Sequence, residues 1–205
     1  MRNRRNHRRR GQSLVEFGFC MVFLMPVLLG TFSIGLSLGR SIQASQISRD
    51  AGHMYARYVD FSLPGNQDII VRLARGMGMT RNGGNGVVIL SRITFVSQDD
   101  CAGSALSPGQ CTNADQHVVI HRIVIGNQQL RASAFGTPNP ATINADGSIN
   151  APVYLTDLNA RANGFGTLLR LEPGEFAYVA EAFFPSNDLA VPGLQNGGVY
   201  ARTIY

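Results

Sequence analysis

Three hydrophobic patterns follow one another along the chain. Residues 17–39 carry no charged side chain. Twenty-three residues in a helix span roughly 35 Å at about 1.5 Å each, enough to cross a bilayer's hydrocarbon core with some tilt. Pro26 lies mid-span, where it removes one backbone hydrogen bond and is a candidate kink. Beyond Arg40 the pattern thins to a stripe. Ile47, Ala51, Met54, Tyr55 and Tyr58 recur at i, i+4, i+7, i+8 and i+11, which predicts a helix continuing out of the span. Arg49, His53 and Arg57 fall on another face. The stripe covers either the protein's own β-domain or a neighbouring molecule, the first being the commoner fate. Pro64-Gly65 is expected to end this element, a shorter helix to follow over 67–77, and RNGGNG (81–86) to form a flexible break.

From Gly86 the pattern becomes that of strands. VVILSRITFV (87–96) is rich in β-branched residues. HVVIHRIVI (117–125), then Gly126-Asn127, then QQLRASAF reads as a hairpin around a two-residue turn. The 136–165 region, rich in Pro, Asn, Gly and Ala, is expected to be mostly loop, with a short helix near 155–162. A turn at Pro173-Gly174 precedes a strand over 175–184, and GVYARTIY (198–205) reads as a last strand. No internal repeat is present. The expected class is α+β: a long N-terminal transmembrane helix that continues outward and packs beside an antiparallel sheet. The divisions are a basic leader (1–11), the span (12–40), a helical segment (41–85) and a β-rich domain (86–205).

Charge sharpens this picture. The net charge of +5 suggests a polyanion partner, but six of the 18 basic residues, all arginine, lie in the first ten positions. Without residues 1–11, 12 Arg face 13 Asp and Glu, so the bulk is nearly neutral. A basic tag next to a span is a topology signal rather than a nucleic-acid site. It places the N-terminus in the cytoplasm and the rest outside it, and adds attraction to anionic lipid. The apolar run is too long for a secretory h-region, and no good A-x-A site follows it.

Cys20 lies inside the apolar run. Cys101 and Cys111 bracket a loop of small and turn-forming residues, DDCAGSALSPGQCTN. Their separation suits a disulfide in an oxidising compartment; two unrelated free thiols are the alternative.

Glu16 stands one residue before the charge-free run, where a carboxylate needs a reason to be. Gly11 follows the arginines, and counted from Gln12, Glu16 is the fifth residue. RGQSLVEF (10–17), the hydrophobic span, Gly39-Arg40, Gln46 and SRDA (48–51) resemble the TadE-like family, minor pilins or pseudopilins of the tight-adherence (Tad/Flp) type IV pilus system. The resemblance covers about a quarter of the chain. It implies that a prepilin peptidase recognises Arg10 and Gly11 and cleaves before Gln12. Glycine suits the position before the scissile bond, since without a Cβ the backbone can lie close to a protease. It implies that Glu16, next to Phe17, pairs with the freed amine of Gln12 or of a neighbouring subunit, as a carboxylate in lipid requires. The alternative is that Glu16 sits at headgroup depth beside the arginines. The implied partners are the prepilin peptidase, other pilin subunits, Tad inner-membrane assembly proteins and the lipid bilayer, with no nucleic acid. The implied location is the inner membrane, single-pass, with the C-terminal domain in the periplasm.

No catalytic motif of the G-x-S-x-G, Walker or H-E-x-x-H kind occurs, so the expectation is a structural protein without cofactor. His117 and His121 have H-x3-H spacing, and on a strand both would face one side. No third ligand stands nearby, and no metal site is expected. Asn144–Ser148 mimics the start of a calcium loop but lacks the distal Glu, and reads as a turn. Asp99-Asp100 reads as a solvated turn. The rival reading is an uncleaved, membrane-anchored periplasmic binding protein.

Overall fold

The structure, a computed structural model, describes residues 5–104, 106–107, 109–185 and 197–205; for residues 5–12 it describes the backbone and not the side chains. A single helix, α1 (Arg5–Ala56), runs for 52 residues and is continuous through Pro26. A proline deletes one hydrogen bond from a ladder that the rest of a long helix maintains. Neither expected division, at 11/12 or at 40/41, interrupts α1. The helix stops at Ala56, earlier than Pro64. Tyr58 takes a left-handed conformation (φ 63°), and Val59 N–H turns back to donate to the Met54 carbonyl at 3.1 Å, which caps the last turn.

Pro64 begins the next helix rather than ending the first. It is the first residue of α2 (Pro64–Leu73), where its missing N–H costs nothing. A 3-10 turn (Arg75–Met77) follows. The segment expected to be a flexible break is a small hairpin, β1 (Met79–Thr80) against β2 (Gly83–Gly84). Gly84 (φ 79°) is required there, because a Cβ would stand 2.4 Å from the Gly78 carbonyl oxygen.

The main sheet contains β3 (Val87–Val96), β4 (Gln116–Gly126), β5 (Phe176–Phe184) and β6 (Val199–Ile204). It is antiparallel throughout, in the order β4-β3-β5-β6. The fold is thus α+β, as the sequence pattern indicated. β4 pairs with β3, however, and QQLRASAF forms no strand. The chain turns at Asn127, with Leu130 N–H on its carbonyl at 3.2 Å, and then crosses the outer face of the sheet. Buried side chains of β4 and β5 hold its backbone there, in place of a strand edge. Asp99-Asp100 lie in a short helix, α3 (Gln98–Ala102), opened by a Ser97–Asp100 capping box. The short helix expected near 155–162 comes earlier, as α4 (Ala151–Thr156), because Pro152 starts it.

The sheet is covered on both faces. On one side lie Ala44, Ile47, Ala51 and Tyr55 of α1, against Val88, Leu90, Ile123, Ala180 and Ala182. Small residues on both surfaces bring the helix close, and Ser48 Oγ donates to the Ala180 carbonyl at 2.9 Å. The stripe therefore covers the protein's own sheet. Tyr58, its last member, is exposed because the helix has already ended. On the other face, Phe135, Ile149, Phe165 and Leu171 from the long connections cover Ile93, Val119 and Val179.

Candidate functional site

Among the described residues, the first half of α1 lies outside the domain. Ala44 is the first residue of the helix buried against the sheet. Ahead of it, residues 13–43 are exposed, with only Met21, Gly30, Ser33 and Arg40 partly covered. Thirty-one residues of helix project about 46 Å. Phe17, Phe19, Phe23, Leu28, Phe32 and Leu36 are among the large apolar side chains left outside. A helix apolar on all sides requires lipid or other helices around it. Among the described residues this is the one helix long and apolar enough to cross a membrane.

Gln12 and Glu16 lie one turn apart on this helix, hence on one face. Glu16 and Phe17 are exposed. Arg10 and Gly11 belong to the same continuous helix, where the backbone alone is described. Cys101 and Cys111 are joined by a disulfide, Cα–Cα 5.8 Å, that ties the end of α3 to the start of the loop before β4. It lies far along the chain from the projecting helix and beside Val96, Val118 and Leu155.

The two histidines are separated by a bulge that the sequence did not reveal. Arg92 pairs with His121 but Ile93 pairs with Val119, so Ile120 is an extra residue in β4. His121 therefore faces α1, while His117 faces the other side, against Phe95 and Phe165. They share no ligand position. Among the described residues no cluster of three His, Cys, Asp or Glu could hold a metal. Residues 144–148 form the expected turn, with Asp146 Oδ1 accepting from the Ser148 N–H at 2.9 Å and its hydroxyl at 2.7 Å.

Two polar sites escaped sequence reasoning, because each joins residues far apart in the chain. The first is a cleft of about 240 Å³ at the end of α1, lined by Tyr55, Arg92, His121, Tyr178, Asp60 and Asp146 among others. The Tyr55 hydroxyl lies 2.7 Å from His121 Nδ1. Burial pushes Tyr55 well above its usual range. Burial, then Arg92, holds His121 below 6.5. The neutral imidazole accepts from the phenol. A hydroxyl so hard to ionise is a poor nucleophile or base, and the pair serves to fasten the helix to β4.

The second is a buried carboxylate, Glu181 of β5, on the opposite face. It accepts from the Ala134 N–H at 2.8 Å, from the Tyr200 hydroxyl at 2.6 Å and from the Ser133 hydroxyl. Arg122 is also buried and donates to the Phe135 carbonyl at 2.8 Å. Burial lowers the Arg122 guanidinium to about 10, and Glu181 opposes that shift. Arg131 stacks 4.1 Å from the Tyr200 ring and Arg202 4.8 Å from the Phe135 ring. This network holds the 133–136 segment over the sheet.

No protein-family model, no curated protein and no solved structure matches the chain.

Proposed function

We propose that this protein is a membrane-inserted minor pilin or pseudopilin of the TadE-like kind, a structural and assembly component without catalytic activity. The observation that carries the reading is the apolar half of α1. It projects from the α+β domain with its apolar side chains exposed among the described residues, and it places Glu16 one turn after Gln12. A long helix that packs its last quarter on its own sheet and offers the apolar stretch before it to lipid suits a subunit that waits in a membrane. In a fibre, the same stretch would pack among other such helices. The basic residues before the span favour a cytoplasmic N-terminus and a periplasmic domain, where Cys101–Cys111 would oxidise.

The test is the mass of the N-terminus in protein purified from membranes of a cell with an active prepilin peptidase. A chain beginning at Gln12 is the expected result. An intact leader under those conditions overturns the pilin reading and leaves a tethered periplasmic binding module.

A further inference from the structure

The point at which α1 leaves the domain fixes how deep the domain sits. Gly39 closes the charge-free run, and Ala44 is the first helix residue buried against the sheet. The helix between them rises about 7.5 Å. The headgroup layer outside the hydrocarbon core is of the order of 5–8 Å thick. If α1 spans a membrane, the pole of the domain around Ala44 therefore stands in the headgroup layer, and any tilt brings it nearer.

That pole has a particular chemistry. A cavity of about 300 Å³ opens between α1 and the turn after α2, lined by Arg40, Met77, Asn85 and Phe184 together with Gly76 and Gly78. Arg75 adjoins it, its carbonyl accepting from the Gly78 N–H at 3.2 Å. Arg72, Leu73 and Arg75 are exposed. No Asp or Glu occurs between Asp68 and Asp99, a stretch with four arginines. Of these, Arg81 is committed to Asp68 at 2.6 Å and Arg92 lines the Tyr55 cleft. Arg72 and Arg75 have no carboxylate partner among the described residues. The Arg40 guanidinium at the cavity, two exposed arginines on the adjoining α2 and its turn, and an exposed leucine and a half-buried methionine alongside fit a phosphodiester whose acyl chains continue into the bilayer.

We propose that this pole binds the headgroup of an anionic phospholipid, with Arg40 and Arg75 on the phosphate, Arg72 beside them, and Leu73 and Met77 at the acyl boundary. The proposal rests on the membrane-spanning reading of α1. Binding here would fix the rotation of the domain about its helix and its height above the bilayer.

The full chain is reconstituted into nanodiscs of equimolar phosphatidylcholine and phosphatidylglycerol, and the lipid it retains is counted by native mass spectrometry. Phosphatidylglycerol should be retained in clear excess. Arg75→Gln should lower that excess about fivefold, and Arg40→Gln/Arg75→Gln should lower it further. Arg57→Gln, on the far end of the helix, should leave it unchanged. Millimolar inorganic phosphate should not displace the lipid; displacement would make this a site for free phosphate and overturn the proposal. Equal retention of both lipids, or an excess indifferent to Arg75, would also overturn it. Alkaline carbonate extraction of the same protein from cell membranes separates the two readings. An extractable chain fails the spanning reading itself. A resistant chain without lipid preference fails this proposal alone.

Discussion

Tyr55, on the last turn of α1, and His121, beside the bulge in β4, meet at 2.7 Å across the helix–sheet interface. Asp60, Asp146, Arg92 and Tyr178 surround them. His121 is held neutral by burial and by Arg92, against opposing pulls from a hydrogen bond to the Asp146 main chain and from the Asp146 and Asp60 carboxylates. Its folded pKa lies below 6.5, so as pH falls through 6.5 the unfolded chain takes the proton first. Stability contributed by neutral His121 is full above 6.5 and is lost as pH falls toward the folded value.

The first prediction follows. The full chain in detergent should melt at a lower temperature at about pH 5 than at about pH 7.5, and His121→Gln should flatten that difference. Tyr55→Phe removes the donor and leaves a buried acceptor, at a cost of about 1–2 kcal/mol at neutral pH. An unchanged pH profile in His121→Gln would show that other groups carry the acid sensitivity. Asp60 and Asp146 also have lowered pKa values, through bonds from Ser62 and Ser148. They lose their contribution in a separate, more acidic window, as pH falls below the ordinary carboxylate range.

Gly52 tests the closeness of the helix to the sheet. A Cβ there would stand 2.7 Å from the Tyr205 ring and 3.1 Å from the Ala180 Cβ. Alanine in a helix is worth about 1 kcal/mol over glycine, so Gly52→Ala sets that gain against the clash. We expect no net gain in the wild-type background and a gain after Tyr205→Ala. The coupling between the two changes should be about 1 kcal/mol by urea denaturation. Additive effects, within about 0.3–0.5 kcal/mol, would mean the ring simply moves aside.

Much of this architecture could be read in the chain. The span, the stripe of Ile47, Ala51 and Tyr55, and all four main strands could be read, because burial of one helix face imposes period 3.6 on the stripe and strands covered on both faces show as runs rich in β-branched or aromatic residues. The Ile120 bulge could not be read, since an extra residue among Val, Val and Ile changes no pattern. Nor could the fate of 128–135, which depends on Glu181 some fifty residues later. Pro64 was ambiguous for a physical reason: the same ring that stops a helix also starts one. Glu16 and Phe17, which the resemblance singles out, lie on the projecting helix, and Cys101, whose pairing was read from the composition of its loop, meets Cys111.

Glu181→Ala should be among the most damaging single changes in the domain. It removes a buried carboxylate from three donors and leaves Arg122 buried without its counter-charge. A loss of about 3–5 kcal/mol is expected. Glu181→Leu with Arg122→Met should cost less than the two single changes added together, because neither charge is then left alone. Strict additivity in urea denaturation would show that the two groups do not sense each other.

Glu16→Ala is the change that bears most directly on function. The projecting helix keeps its apolar length without Glu16, so insertion should be unaffected, with the same carbonate resistance as the wild type. Cleavage before Gln12 should also persist, since the peptidase would read Arg10 and Gly11. What should fail is assembly. A carboxylate that pairs with an amine inside a bundle of apolar helices sets register, and truncating one partner leaves the other charge in lipid. Recovery of the subunit in sheared surface fibres, or in cross-linked complexes with other pilins, should fall roughly tenfold or more. Glu16→Asp should recover only part of it, because the shorter side chain reaches less far toward the amine. Wild-type recovery of the alanine variant would place Glu16 at headgroup depth, where a carboxylate needs no partner, and would remove it from the assembly mechanism.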